Sequence, residues 1–85
     1  MEIIVAEHAL RHGLTESEIV YAWENFIRKQ RRKSPNETQV AAIGYDRKGR
    51  LIQMVAVDIP SGVLIYHAMT PPTAKVLIEL GFARR

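Results

Sequence analysis

The spacing of apolar residues is helical in the first third of the chain and strand-like afterwards. Between residues 2 and 12, apolar positions recur at intervals of three and four, and Gly13 follows where helices commonly end. A short strand over residues 3–5 is the alternative for the same stretch. Thr15 and Glu18 form a capping box, which predicts that a second helix begins there. Its apolar stripe and a basic end predict that it runs to about Lys33.

From residue 39 onward, branched and aromatic residues predict three strands over 39–45, 51–58 and 63–69. Short turns at 46–49 and 60–62 join them, so we expect an antiparallel meander. Gln53 is the one polar residue inside the middle strand. Thr70 and Pro71 suit the start of a last helix, and Gly81 with Phe82 suits a Schellman-type end. The predicted fold is α+β, with two N-terminal helices, a three-stranded antiparallel meander and a C-terminal helix.

Length and composition narrow the class of protein. The 85 residues are enough for one domain, which we expect to span residues 1–85, and 47% of them are apolar. There is no cysteine and no apolar run near the roughly 20 residues that cross a bilayer. We expect no secretory signal, because the N-terminus opens with an acid and is apolar only briefly. A cytoplasmic location is the simplest expectation.

The net charge of +3 is unevenly distributed. Residues 28–50 hold eight of the twelve basic residues and two of the nine acidic ones, a local balance of +6. Arginine binds phosphate through its planar fork, so this segment favours a polyanionic partner over a merely solvated surface. The candidate nucleic-acid-binding residues are Arg28, Lys29, Arg31, Arg32, Lys33, Lys48 and Tyr45. Tyr45 and Tyr66 offer aromatic faces for bases, the alternative being ordinary packing.

Histidines are the candidates for proton chemistry. His8 and His12 are spaced like a metal pair but lack a third ligand nearby in the sequence. His67 lies among apolar neighbours of the third strand. It is either a partly buried histidine bonded to backbone or a proton donor and acceptor.

Three segments together resemble a known family. They are residues 12–19 (HGLTESEI), 42–51 (AIGYDRKGRL) and 65–69 (IYHAM). In order and spacing they resemble the BrnT-like toxins of the RelE/ParE toxin–antitoxin superfamily, over about residues 8–80. The resemblance implies helices packed on one face of the sheet and a ribonuclease that needs no metal or cofactor. It also implies a small antitoxin as partner, besides RNA.

The resemblance further implies roles for individual residues. RNA would be cleaved by in-line attack of its 2′-hydroxyl, with Arg47 and Arg50 as phosphate clamps and His67 as the acid–base group. Glu37 is a weaker candidate base. The family usually has an arginine just after the third strand, whereas residues 69–72 here contain no cation and the next one is Lys75. Either Lys75 or a hairpin arginine replaces it, or the chain is a weak or inactive enzyme that binds nucleic acid or protein. A purely structural or interaction domain is the third possibility.

Overall fold

One mixed β-sheet of five strands forms the centre of the fold. The computed structural model describes residues 1–82, so the last three residues of the predicted 1–85 domain lie outside the described part. The elements in chain order are β1 (Glu2–Val5), a 3-10 turn (Glu7–Leu10), α1 (Glu16–Glu24), β2 (Phe26–Arg31), β3 (Gln39–Tyr45), β4 (Leu51–Ile59), β5 (Gly62–Met69) and α2 (Ala74–Glu79).

The predicted fold class is wrong, because two strands flank the meander and replace predicted helix. The strand order is β1-β5-β4-β3-β2, so β4 is central. The three strands expected from the sequence are present as β3, β4 and β5, paired antiparallel. β2 adds antiparallel to β3, and β1 adds parallel to β5.

The first segment follows the alternative that its sequence left open. Residues 2–12 do not form the predicted helix, because Glu2–Val5 is a strand and only Glu7–Leu10 makes a helical turn. The amide of Ala6 donates to the carbonyl of Ile65 (2.8 Å), which extends the pairing beyond Val5. The turn therefore begins beside the C-terminal half of β5.

The second predicted helix starts where expected and ends early. The Thr15 hydroxyl accepts from the Glu18 amide (3.1 Å) and the Glu18 carboxylate accepts from the Thr15 amide (2.8 Å), which confirms the capping box. α1 ends at Asn25, whose backbone and side-chain nitrogens both donate to the Tyr21 carbonyl. The basic segment that we assigned to the helix end is instead the edge strand β2.

Helices cover both faces of the sheet, not one face as the resemblance implied. α1 and the 3-10 turn close the larger core, where Trp23 packs with alternate residues of β3, β4 and β5. α2 closes a smaller core on the opposite face, where Val76 and Leu80 meet Ala41 and Ile43. We call the first the α1 face and the second the α2 face. Within residues 1–82, neither helix has the length and apolar character needed to cross a membrane.

The last helix begins later than predicted. Thr73, not Thr70, is its N-cap, and the Thr73 hydroxyl accepts from the Val76 amide (3.3 Å). Thr70 instead donates its hydroxyl proton to the Leu51 carbonyl. The amide of Phe82 donates to the carbonyl of Leu77 (2.8 Å), and Gly81 donates to Ile78. This pair of bonds is the expected Schellman closure.

Candidate functional site

A polar cavity of about 290 Å³ opens on the α2 face, between β5, β4 and the start of α2. Its walls combine aromatic, cationic and amide side chains. They are His8, Arg32, Gln53, Val55, Tyr66, His67, Thr73, Lys75 and Val76. We call this the His67 cavity.

A β-bulge explains how two consecutive strand residues reach this cavity. Val55 pairs with His67 and the next residue of β4, Ala56, pairs with Ile65, so Tyr66 is the extra residue. In a regular strand, neighbouring side chains point to opposite faces, and a bulge breaks this alternation. Tyr66 and His67 therefore both line the His67 cavity.

Gln53 connects α2 to His67. It is a buried polar residue of β4, with 5% of its surface exposed. Its Oε1 accepts from the Thr73 amide (2.9 Å) and from the Thr73 hydroxyl (3.1 Å), and its Nε2 lies 2.9 Å from Nε2 of His67. The Thr73 amide can only donate, so the Gln53 oxygen must face it and the Gln53 amino group must face His67.

This orientation determines the tautomer of His67. The Gln53 amino group donates, so Nε2 of His67 must accept and cannot carry a proton. The neutral ring then has its proton on Nδ1. Burial is the main cause that lowers the pKa of His67, and the neighbouring His12, His8 and Arg32 lower it further.

Replacing Gln53 with glutamate should raise the pKa of His67 above its usual value of about 6.5. A carboxylate can still accept from Thr73. It also accepts from a proton-bearing Nε2 and so stabilises the imidazolium form of His67, whereas the amino group of Gln53 disfavours that form. Titration of the His67 ring by NMR measures the change. Gln53→Leu is the control: it removes the hydrogen bond without adding charge and should leave the pKa below normal.

The same shift predicts a pH effect on stability. The unfolded chain protonates this histidine below about pH 6.5, and the folded wild type does so only at lower pH. Its contribution to stability is therefore lost as the pH falls from about 6.5 through the folded pKa. In Gln53→Glu this contribution changes sign, which urea unfolding at pH 7 and pH 5 tests. A Gln53→Glu protein whose His67 still titrates below normal would contradict the hydrogen-bond assignment.

Two cations line the cavity beside His67. Arg32 makes a bidentate ion pair with Glu79 (both 2.9 Å) and donates to Gln39 as well, so its guanidinium is held in place. Lys75 forms no ion pair with any residue between 1 and 82. It is the first cation after β5, and the structure brings it to the same cavity as His67.

The hairpin arginines lie elsewhere. Arg50 donates to the Asp46 carboxylate (2.7 Å) and to Glu18 of α1 (2.8 Å), and Arg47 lies over the ring of Tyr21. Burial would raise the pKa of Asp46, but hydrogen bonds from Arg50 and Lys48 outweigh it and hold the pKa below normal. Arg50 is thus largely neutralised by two carboxylates.

Distance also separates the hairpin from His67. Arg50 precedes Val55, the partner of His67, by five positions, about 17 Å along a strand. Arg47 and Arg50 therefore do not share a site with His67. Glu37, the weaker candidate base, is exposed in the β2–β3 loop and does not line the His67 cavity.

The basic residues of β2 contact different parts of the molecule. Arg28 donates to the Leu80 carbonyl (2.8 Å) and lies over the Phe82 ring. The other predicted contacts are spread over both faces and the hairpin. Lys29 lies over Trp23 and Phe26, Arg31 pairs with Asp58, Lys48 pairs with Glu18, Lys33 lines a neighbouring cavity, and Tyr45 is half exposed at the end of β3. Of the predicted nucleic-acid-binding residues, only Arg32 lines the His67 cavity.

The three histidines come together at the edge of the sheet. The rings of His12 and His67 lie 5.9 Å apart, and His8 lines the same cavity as His67. Residues 1–82 nevertheless contain no group of three histidine, cysteine or carboxylate side chains placed to hold a metal ion. Burial is the main cause that lowers the pKa of His67, and charge on the neighbouring histidines adds to it.

Chemically, the cavity is suited to holding an anion. Lys75 supplies a positive charge that no carboxylate offsets within residues 1–82, whereas Glu79 largely offsets the charge of Arg32. His67 supplies a neutral ring, and Tyr66 supplies a phenol whose pKa is raised by burial. No carboxylate lines the cavity. The Nε2 lone pair of His67 is occupied by Gln53, so this arrangement lacks a ready proton acceptor.

Two of these residues were not assigned to the site from the sequence. In the sequence, Gln53 is distinguished only as a polar residue of a central strand, and that anomaly is the signal that could mark it. Tyr66 is predicted only as a stacking face, because the bulge that turns it toward His67 has no local signature.

Comparison of the chain with models of protein families, with curated proteins and with solved structures finds no match.

Proposed function

We propose that this chain binds RNA, with a backbone phosphate held in the His67 cavity. The observation that carries the proposal is the convergence of Lys75 and His67 on one cavity that no carboxylate lines, beside the Arg32 guanidinium that Glu79 holds in place. Cationic and neutral N–H donors around a concave site suit a phosphate oxygen. Here the neutral Nδ1–H of His67 donates at pH 7 without a change of protonation.

RNA is favoured over other phosphate ligands by two further features. Tyr66 places an aromatic ring in the wall of the cavity, and unstacked bases of single-stranded RNA pack on such rings. The three segments that resemble BrnT-like toxins also favour RNA, since those proteins act on it. Both features support the same ligand.

Cleavage of RNA is the second candidate function. It is favoured by Tyr66, whose protonated phenol could donate to a leaving oxygen, and by Lys75, which could stabilise the charge of the phosphorane. It requires a base for the 2′-hydroxyl, and His67 serves only if Gln53 releases Nε2. In this reading the chain is a toxin-like ribonuclease, and a small antitoxin is its protein partner.

One experiment separates the two candidates. The purified chain is mixed with a labelled single-stranded RNA at salt concentrations between about 50 and 200 mM. Binding should weaken as salt rises, because each neutralised phosphate contributes roughly 0.7 to the logarithmic slope, and we expect a slope of about 2. The same samples are run on a denaturing gel, with a 2′-O-methyl RNA as the substrate that cannot undergo in-line attack.

The outcomes are distinct. Salt-dependent binding of both RNAs without products supports the binding protein. Products ending in a 2′,3′-cyclic phosphate, from the unmodified RNA alone, support the ribonuclease. An affinity that does not change with salt would exclude a phosphate-bound RNA and both candidates with it.

A further inference from the structure

We propose that a second cavity on the α2 face binds the nucleotide adjacent to the one in the His67 cavity, so that the ligand is single-stranded RNA of at least two nucleotides. This inference rests on the proposed function. The second cavity has a volume of about 320 Å³ and lies between the β2–β3 loop and α2. Its lining residues are Arg32, Lys33, Asn36, Lys75, Ile78 and Glu79.

The two cavities share a wall. Arg32 and Lys75 line both of them, so the cavities are adjacent on the α2 face, and we call the pair the groove. A phosphate held by Lys75 beside the Arg32–Glu79 pair would have one cavity on each side. This is the relation between a linking phosphate and its two nucleosides.

The charges of the second cavity fit a further phosphate. Glu79 is the one carboxylate in its lining, and it is already engaged by the bidentate pair with Arg32. Lys33 forms no ion pair within residues 1–82, and its side chain is exposed. Lys33 therefore supplies a positive charge to the outer end of the groove.

The remaining walls suit a base. Ile78 exposes 37% of its surface, which provides an apolar contact for the flat face of a base. The side-chain amide of Asn36 has both donors and an acceptor, which match the polar edges of bases. An RNA duplex keeps its bases stacked inside and presents only its backbone, so it could not fill two concave cavities.

The test measures binding of uncleavable 2′-O-methyl ligands to the wild type, Lys33→Gln and Ser17→Glu. Ser17→Glu lowers the net charge by one, as Lys33→Gln does, but lies in α1 on the opposite face. We expect Lys33→Gln to weaken a tetranucleotide about 10-fold and to leave a mononucleotide phosphate unchanged. Ser17→Glu should leave both affinities within about 2-fold, because charge on the far face is screened.

Three results would overturn the inference. Unchanged tetranucleotide binding in Lys33→Gln would exclude the second subsite, and so would equal binding of a duplex by the wild type. If the tetranucleotide and the mononucleotide both bind the wild type in these cases, the His67 cavity remains supported and only the second subsite fails. If neither ligand binds the wild type, the proposed function fails as well.

Discussion

Lys75→Glu should weaken the binding of short single-stranded RNA about 30- to 100-fold. The change removes the cation that forms no ion pair in the His67 cavity and places a carboxylate next to the bound phosphate. The fold should tolerate it, because Lys75 is exposed in the first turn of α2, where an acid is favourable. Fluorescence anisotropy measures the affinity, and circular dichroism checks the fold.

Arg47→Glu changes the net charge by the same amount as Lys75→Glu and tests whether RNA binds at the β3–β4 hairpin instead. Arg47 lies over Tyr21 near α1, away from the His67 cavity. We expect a loss of about 3-fold from the general reduction in positive charge. A loss in Arg47→Glu as large as in Lys75→Glu would show that RNA binds at the hairpin, as first expected from the sequence.

Gly44→Ala should destabilise the fold by about 3 kcal/mol or more, which is a large part of the roughly 4–13 kcal/mol expected for a domain of this size. Gly44 lies in β3 directly beneath α1. A Cβ at this position would overlap the carbonyl oxygen of Ala22 and lie 3.1 Å from the Cα of Phe26. Both obstacles are backbone atoms, so α1 would have to move away from the sheet. Urea unfolding measures the loss.

Gly49→Ala is the matched control. Gly49 has φ +81° in the β3–β4 turn, and no atom lies within 4 Å of an added Cβ. Its cost is conformational alone, about 1–2 kcal/mol. If Gly44→Ala costs no more than Gly49→Ala, α1 does not pack against β3 as closely as described.

Local signals predicted part of the fold well. The three strands of the meander have branched residues and short turns of their own, and the Thr15 capping box requires only four consecutive residues. The sequence left β1 open only as the alternative to a helix, because its partner β5 is distant along the chain, and it predicted helix in place of β2. β1 pairs with β5. The cations of β2 contact both faces of the sheet, and the same run of basic residues is typical of the C-terminal end of a helix.

Of the residues that line the candidate site, the sequence singled out His67 most clearly. His67 stood out by its chemistry, whereas the roles of Arg32 and Lys75 depend on which elements the fold brings together. The hairpin arginines show the opposite case, because the fold pairs a cation that the sequence leaves unpaired. Arg50 looks like a free cation in the sequence, but Asp46 and Glu18 neutralise it in the structure.

The parallel pairing of β1 with β5 has a consequence for synthesis on the ribosome. Glu2 pairs with Gly62, so β1 leaves the ribosome sixty positions ahead of its partner. Closing so long a loop is slow and entropically costly, and it can occur only after β5 has emerged. Until then Ile3, Ile4 and Val5 have no sheet to join, and a nascent chain stalled before β5 is exposed to aggregation through this segment.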